Sequence, residues 1–430
     1  MGLTELRRKI ESRSAVLGVI GLGYVGLPLA VEAAKAGFNV IGLDRDQKKC
    51  ESLNLGVTSV GGIAQEDLRA IIDDGRFRTT KDSDALNECD IITICVGTPL
   101  TPSRDPDLSF VRAAAHSVAA ALESSSRFPK LVTLESTSYP GTTEEVVMPI
   151  LTATDRVLDE DFFLAFSPER IDPGNPNWNI GNIPKLVGGT TALSGELAAL
   201  FYRQFICEVM ELSSSRVAEM AKLLENIFRA VNVALVNELW MLCDRMGIDV
   251  WEVIAAASTK PFGYMTFWPG PGLGGHCTPV DPFYLSWKAR EFGFPTEFIE
   301  LAGKVNMNMP YFVESKVVEA LNVEGKCLKG SQVLILGVAY KADTNDTREA
   351  PAYRIMSLLL ADGARLVYHD PYVRSFEFDG EKLLSEPLTP DLLASSDCVV
   401  ILTAHSGVDH RMVKESGVPV IDTRNVLSQL

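Results

Sequence analysis

The sequence has no Cys-x-x-Cys pair and no histidine–cysteine cluster at zinc-ligand spacing; its eight cysteines (Cys50, Cys89, Cys95, Cys207, Cys243, Cys277, Cys327, Cys398) are scattered. A structural metal site and a disulfide framework are therefore not expected. Basic charge is also short: 40 Lys and Arg stand against 56 Asp and Glu, a net charge of −16. That balance argues against a nucleic-acid or anionic-membrane surface and leaves small-molecule chemistry as the default. No long apolar run follows the basic residues of MGLTELRRKIESRSAVLGVIGLG, because the glycine pattern from Gly21 interrupts the first hydrophobic stretch. The expectation is no signal peptide, no membrane span and a reducing cytoplasm. Low-complexity tracts and long linkers are missing too.

The 430 residues, 46% of them apolar, can fill two or three cores. AVLGVIGLGYVGLPLAVEAAKAGFNVIGLD alternates an apolar run, a glycine turn, an apolar-periodic helix stopped by Gly37, and a second apolar run ending in Asp44. This is a βαβ unit. The order returns late: SQVLILGVAY is a strand ending near Gly337, APAYRIMSLLLADGA a helix, RLVYHDP a strand ending in His369 and Asp370. ECDIITICVGTP and SSDCVVILTAH correspond in turn. The fold class is α/β, with two doubly wound Rossmann-like halves flanking the chain. Between them, from about 213 to 258, Val217, Met220, Leu224, Ile227, Val231, Leu235 and Leu239 recur at spacings of three and four. They predict one long helix or a helix pair, serine-capped, joining the halves and presenting a face to a partner helix, such as that of a second subunit. Boundaries are expected near 205 and 315, giving domains 1–205, 206–315 and 316–430.

In the first βαβ unit, Gly21-Leu-Gly23-Tyr24-Val25-Gly26 lies between strand and helix, with Asp44 closing the next strand 18 residues after the last glycine. Glycines there allow a tight turn and close approach of a pyrophosphate to the helix N-terminus, and Asp44 can accept hydrogen bonds from an adenosine ribose. A carboxylate repels a 2′-phosphate, which favours NAD over NADP, although Arg45 and Lys49 soften that preference. The second half keeps only Gly337; Lys341 and Arg348 stand in place of the triplet, either to pair with phosphate oxygens or as a solvated basic pair.

One cysteine stands apart. Cys277 sits in PGPGLGGHCTPVDPF among Gly270, Gly272, Gly274 and Gly275 and four prolines, with Asp281 four residues on. Such a segment is an irregular loop open to close approach, whereas most of the other cysteines are expected to be buried small hydrophobes. A thiolate adds to an aldehyde, and the adduct can lose a hydride to become a thioester, so a cysteine here would carry an alcohol to an acid. That chemistry needs an oxyanion donor and a carboxylate to handle water. Lys222 and Asn226 share one helix face, as donors or as an ordinary wet face. Glu169 and Arg170 lie in FSPERIDPGNPNW, and Glu135 and Thr137 at a strand end in LESTSYPGTTEE, where a doubly wound sheet opens its cleft. His276 either tunes the cysteine or satisfies a backbone carbonyl.

GLGYVGLPLA, ESTSYPGTTEE, FSPERIDPGNP, EMAKLLENIFRAVNVALVNEL, GPGLGGHCTPVDPFYL and GVAYKADTNDTREAP, in that order, resemble the UDP-glucose/GDP-mannose dehydrogenase family across essentially the whole chain. The resemblance implies an N-terminal NAD domain, a helical dimerising middle carrying the cysteine loop and a C-terminal UDP-binding domain, with a sugar C6 alcohol oxidised to a carboxylate at the cost of two NAD. It makes Cys277 the nucleophile, Lys222 and Asn226 the oxyanion donors, and Asp281, Thr137 and Glu169 the residues that position or activate water. NAD would be held by Gly21, Gly23, Tyr24, Val25, Gly26, Asp44, Arg45, Lys49, Thr98 and Thr137. Glu169, Arg170, Lys222, Asn226, Gly274, Lys341 and Arg348 would face the UDP-sugar, with no metal and a homodimer or higher homo-oligomer as the assembly. His276 and Val280 stand where UDP-glucose enzymes commonly carry other residues, and Pro173 replaces a carboxylate of the glucose type. The stretch STKPFGYMTFWPGPGLGGHC is more similar to the N-acetylglucosamine branch than to the N-acetylmannosamine one, so UDP-N-acetylglucosamine is the expected substrate. A two-electron alcohol dehydrogenase with a structural Cys277, and a silent nucleotide-sugar sensor, are the competing readings; the intact Lys222, Asn226, Cys277 and Asp281 set argues against the sensor.

Overall fold

The computed structural model describes the chain except residues 1, 59, 61–62, 102, 172–176, 276–277 and 279. Two compact units, Met1–Glu225 and Asn226–Leu430, make it up.

In the first unit, apolar runs form β1 (Val16–Ile20), β2 (Asn39–Leu43), β3 (Phe77–Thr80), β4 (Ile91–Ile94), β5 (Lys130–Leu134), β6 (Phe162–Phe166), β7 (Lys185–Gly189) and β8 (Val209–Leu212). They join in one sheet of order β3-β2-β1-β4-β5-β6-β7-β8, parallel except between β6 and β7. Strands covered on both faces need apolar residues on both, as the fully buried β4, β5 and β6 show. The helix Gly26–Lys35 buries Leu27, Leu29, Ala30, Val31, Ala33 and Ala34 and ends at Gly37, whose φ of +112° an L side chain rarely adopts. Chain order reverses between β1 and β4, which places a crevice at their carboxyl ends.

The second unit repeats the plan on a smaller scale. β9 (Gln332–Leu336), β10 (Arg365–His369), the hairpin strands β11 (Ser375–Phe378) and β12 (Glu381–Leu384), β13 (Cys398–Ile401) and β14 (Val420–Asp422) follow in sequence. The parallel sheet has the order β10-β9-β13-β14, so both halves of the expected α/β design are present. The helices Pro351–Ala361 and Glu297–Val323 bury Ile355, Met356, Leu359, Val313 and Val317 with this sheet in one core.

The expected middle helix is a pair: Ser215–Met246 is continuous over 32 residues, and Val250–Ser258 starts anew where Asp249 caps the Trp251 N–H. Ser214 Oγ accepts the Val217 N–H at 3.3 Å at the start of the first. Along that helix Ile227 is buried, whereas Val217, Met220, Leu224, Leu235 and Leu239 are exposed, as are Phe228, Leu242 and Met246. Among the described residues no helix is long and apolar enough to cross a membrane.

Candidate functional site

At the end of β1 the chain turns through Gly21, with φ +94° and its N–H on the Leu43 carbonyl at 2.7 Å. A Cβ at Gly21 would sit 2.6 Å from the Cys95 carbonyl oxygen, and one at Gly26 only 1.9 Å from the Gly21 oxygen; one at Gly23 would meet nothing within 4 Å. Two glycines thus close the turn, and the third leaves open space at the helix N-terminus, with Tyr24 and Val25 half-buried between them. Asp44, one residue beyond β2, accepts the N–H groups of Leu22 and Asp46, both at 3.1 Å, and pairs with Lys49 at 2.8 Å. Burial pushes its carboxyl up, but Lys49 and these two N–H groups outweigh that and hold it below its ordinary value. Lys49 is therefore engaged by Asp44, and the Arg45 guanidinium lies 4.7 Å from the Phe110 ring centroid. Thr98 is buried beyond β4. Open space above Gly23 and an ionised Asp44 fit a dinucleotide with a free ribose 2′-hydroxyl.

Further along the same sheet, Thr137 is half-buried just past β5, and Glu169 is buried past β6. Glu169 Oε1 accepts the N–H groups of Arg170 (2.6 Å) and Ile171 (2.7 Å), while Oε2 lies 3.4 Å from Lys185 Nζ. Lys185 also pairs with Glu135 at 2.8 Å, and the Tyr202 hydroxyl donates to Glu135 at 2.6 Å. Burial alone would depress the Lys185 ammonium; Glu135 and Glu169 outweigh it and keep the group protonated. Glu135 is sealed inside the protein rather than lining a cleft. Arg170 is engaged by the Pro184 carbonyl (2.6 Å) and by Glu225 (2.8 Å).

On the long helix Lys222 is only 7% exposed and has no hydrogen bond among the described residues. One turn on, Asn226 Nδ2 donates to the carboxylate of Asp281, the buried first residue of the helix Asp281–Ala289. One turn earlier stands Glu219, which sequence reasoning missed. It is fully buried and accepts the N–H groups of Gly141 (2.6 Å) and Thr143 (2.9 Å) and the Thr143 hydroxyl (2.7 Å). It thereby ties the turn after Thr137 to the helix bearing Lys222, and burial raises its pKa to about 7 despite those donors. Lys185 and Tyr202 were missed as well; a lysine opening an otherwise apolar strand was the available signal.

Cys277 and His276 lie outside the described residues, as does Pro173. The approach to the cysteine is nonetheless well held. Asn237 Oδ1 accepts the Gly270 N–H (2.9 Å), its Nδ2 donates to Asn306 Oδ1 (2.9 Å), and Asn306 donates to the Ala230 carbonyl (3.0 Å). Gly275 donates to the Arg348 carbonyl at 3.1 Å. A Cβ at Gly274 would fall 2.7 Å from Tyr340 Cβ, and one at Gly275, φ +86°, 2.9 Å from the Tyr340 ring. The glycines are there because the segment lies flat on Tyr340, the neighbour of half-buried Lys341. Arg348 grips Asp346 through Nε (2.9 Å) and Nη2 (2.6 Å). Asn226, Asp281, the glycine segment and the Lys341 loop thus belong to one unit. The seven described cysteines are free; five are buried, as expected of most of them, and Cys207 and Cys327 are exposed.

Three family models match in order: the NAD binding domain of the UDP-glucose/GDP-mannose dehydrogenase family over residues 15–206, its central domain over 216–308 and its UDP binding domain over 334–429. The chain belongs to this family. It is an NAD-dependent nucleotide-sugar dehydrogenase. Curated relatives of this dehydrogenase include UDP-N-acetyl-D-mannosamine dehydrogenase of Pyrococcus horikoshii, 34% identical over 424 residues (96% of each chain). UDP-N-acetyl-D-glucosamine 6-dehydrogenase of Salmonella typhi is 34% identical over 396 residues, 90% of this chain and 89% of that one. Among solved structures, the UDP-D-ManNAc dehydrogenase of P. horikoshii superposes with TM-score 0.87 at 32% identity, covering 95% of both chains. A UDP-glucose dehydrogenase of Pyrobaculum islandicum gives 0.85 at 29%, covering 95% of this chain and 94% of that one.

Proposed function

We propose that this dehydrogenase oxidises the C6 hydroxyl of a UDP-N-acetylhexosamine, UDP-N-acetylglucosamine, to the uronic acid. Bound NAD supplies the hydride acceptor, one molecule for each of two oxidations. The alcohol first becomes an aldehyde. The Cys277 thiolate adds to it, the thiohemiacetal loses a second hydride to give a thioester, and water releases the carboxylate and the thiol. Lys222 and Asn226 steady the oxyanion, and Asp281, Thr137 and Glu169 hold or deprotonate the water. The observation that carries this reading is the Asn226–Asp281 hydrogen bond, which joins one proposed oxyanion donor to the residue four places after Cys277. Lys222, with no hydrogen bond among the described residues and an ammonium that is not among the buried unpartnered atoms, leaves that group available to a substrate oxygen.

A central domain from about 206 to 315 carries the cysteine loop in this reading, with Lys341 and Arg348 on the nucleotide-sugar side. The exposed apolar stripe of the long helix supports a homodimer or higher homo-oligomer. UDP-N-acetylmannosamine is the second reading, favoured by the P. horikoshii relative at the same 34% identity. The test is NADH formed per sugar consumed, with limiting UDP-N-acetylglucosamine, UDP-N-acetylmannosamine or UDP-glucose. Two per sugar on the first is the expected result. Two on another reassigns the substrate, and one per sugar removes Cys277 from the chemistry.

A further inference from the structure

The second sheet repeats the turn of the first and then departs from it. Gly337, φ +80°, donates to the His369 carbonyl at 2.9 Å, and Asp370 just past β10 accepts the Val338 N–H at 2.8 Å. These are the counterparts of Gly21, Leu43, Asp44 and Leu22. Here the carboxylate is also closed in: the Ala339 N–H reaches Oδ2 at 3.3 Å, and the N–H groups of Tyr372 and Val373 reach Oδ1 at 2.9 Å. The remaining partner is His405, fully buried, with Nε2 3.0 Å from Asp370 Oδ2. Its Nδ1 accepts the Asp343 N–H at 2.9 Å, which assigns the ring proton to Nε2 and makes the ring a donor to Asp370. The Asp343 carboxylate in turn accepts the Ser406 N–H (2.9 Å) and hydroxyl (3.0 Å), and the Thr403 hydroxyl donates to the Ala339 carbonyl. The loop from Val338 to Asp346, which carries Lys341 and lays Tyr340 under Gly274 and Gly275, is thus fastened by the segment after β13.

We propose that His405 is a positioning residue for nucleotide-sugar binding: clamped between Asp370 and the Asp343 backbone, its ring fixes the loop that presents Lys341 to the diphosphate. The inference rests on the reading that this loop faces the nucleotide sugar. A group that only stabilised the fold would lower the melting temperature and leave the affinity of folded protein unchanged. A positioning group changes the affinity itself.

The experiment is calorimetric titration of the full chain with UDP, alongside KM for the UDP-sugar and for NAD. His405→Phe removes both hydrogen bonds and is expected to weaken UDP binding and raise the UDP-sugar KM about tenfold, the size of one lost buried hydrogen bond, with the NAD KM unchanged. His405→Asn keeps an acceptor near the Nδ1 position and recovers most of the loss. His405→Gln, whose amide reaches the Nε2 position, does not, and it carries the test if the Phe variant fails to fold. Lys341→Met is the control. If it weakens UDP binding while the Phe and Gln variants bind like the wild type, the inference is overturned. If Lys341→Met also binds UDP like the wild type, the reading of the loop falls, and the inference with it.

Discussion

The two sheets build the same glycine turn and the same carboxylate beyond the second strand, yet treat the carboxylate in opposite ways. The Asp44 side chain keeps 10% of its surface and shares its charge with one flexible lysine; the Asp370 side chain keeps none and is ringed by backbone N–H groups and His405. The first turn adds Gly23, with room above it, and the second adds Tyr340 and Lys341 on a pinned loop. One supersecondary unit thus serves two ends. Where the carboxylate is left reachable it is suited to a ribose, and where it is consumed internally it becomes a peg for the loop that carries Tyr340 and Lys341.

The sharpest way to break the comparison is Gly26→Ala. A Cβ 1.9 Å from the Gly21 oxygen forces the first turn open, and strain of this kind, about 1–3 kcal/mol, is expected to cut kcat/KM for NAD by up to about 100-fold. UDP binding by calorimetry should hold. Next comes Asp370→Asn, which trades a carboxylate ringed by donors for an amide that presents one of its own. It should cost about 3 kcal/mol in a denaturant titration. Asp44→Asn, at the matching position, should instead leave stability nearly intact and raise the NAD KM about tenfold in steady-state kinetics. Equal stability losses at the two positions would erase the distinction.

A further contrast is one of sign with pH. Although burial opposes it, the His405 and backbone hydrogen bonds hold Asp370 below its ordinary value, so its contribution is complete above the usual carboxylate range and is lost as pH falls through the folded value. Glu219 is the reverse. With a folded pKa of about 7, the native state binds the proton more tightly than the unfolded chain, and stability falls as pH rises from the ordinary carboxylate value to about 7. The drop amounts to roughly 3 kcal/mol at most. Melting temperatures of wild type and Glu219→Gln from pH 5 to 8 should diverge in favour of the variant's flatter slope; parallel curves would show that Glu219 stays ionised throughout.

What could be read in the sequence was local. Gly21, Gly23, Gly26 and Asp44 lie within one βαβ unit, and the repeated strand-helix-strand order exposed the second half because its apolar periods survive. The partners that tune the buried groups lie far away along the chain: Lys185 is 50 residues from Glu135, Tyr202 is 67 away, and His405 is 35 from Asp370. No period or spacing encodes such pairs; they follow from which strands end side by side. Glu219 was hidden differently, as one more polar residue on a helix already rich in them. Arg170 is read only in part from its motif: Pro184 and Glu225 hold its two Nη atoms, and its buried Nε has no partner among the described residues.

Tyr340 lying against Gly274 and Gly275 has a consequence for anyone redesigning this enzyme. The glycines ahead of the cysteine and the Lys341 loop are two halves of one template, separated by more than sixty residues of sequence but cut to a single thickness. A chimera that imports one of them from a relative acting on another sugar meets a partner shaped for the original. The two segments are best exchanged together.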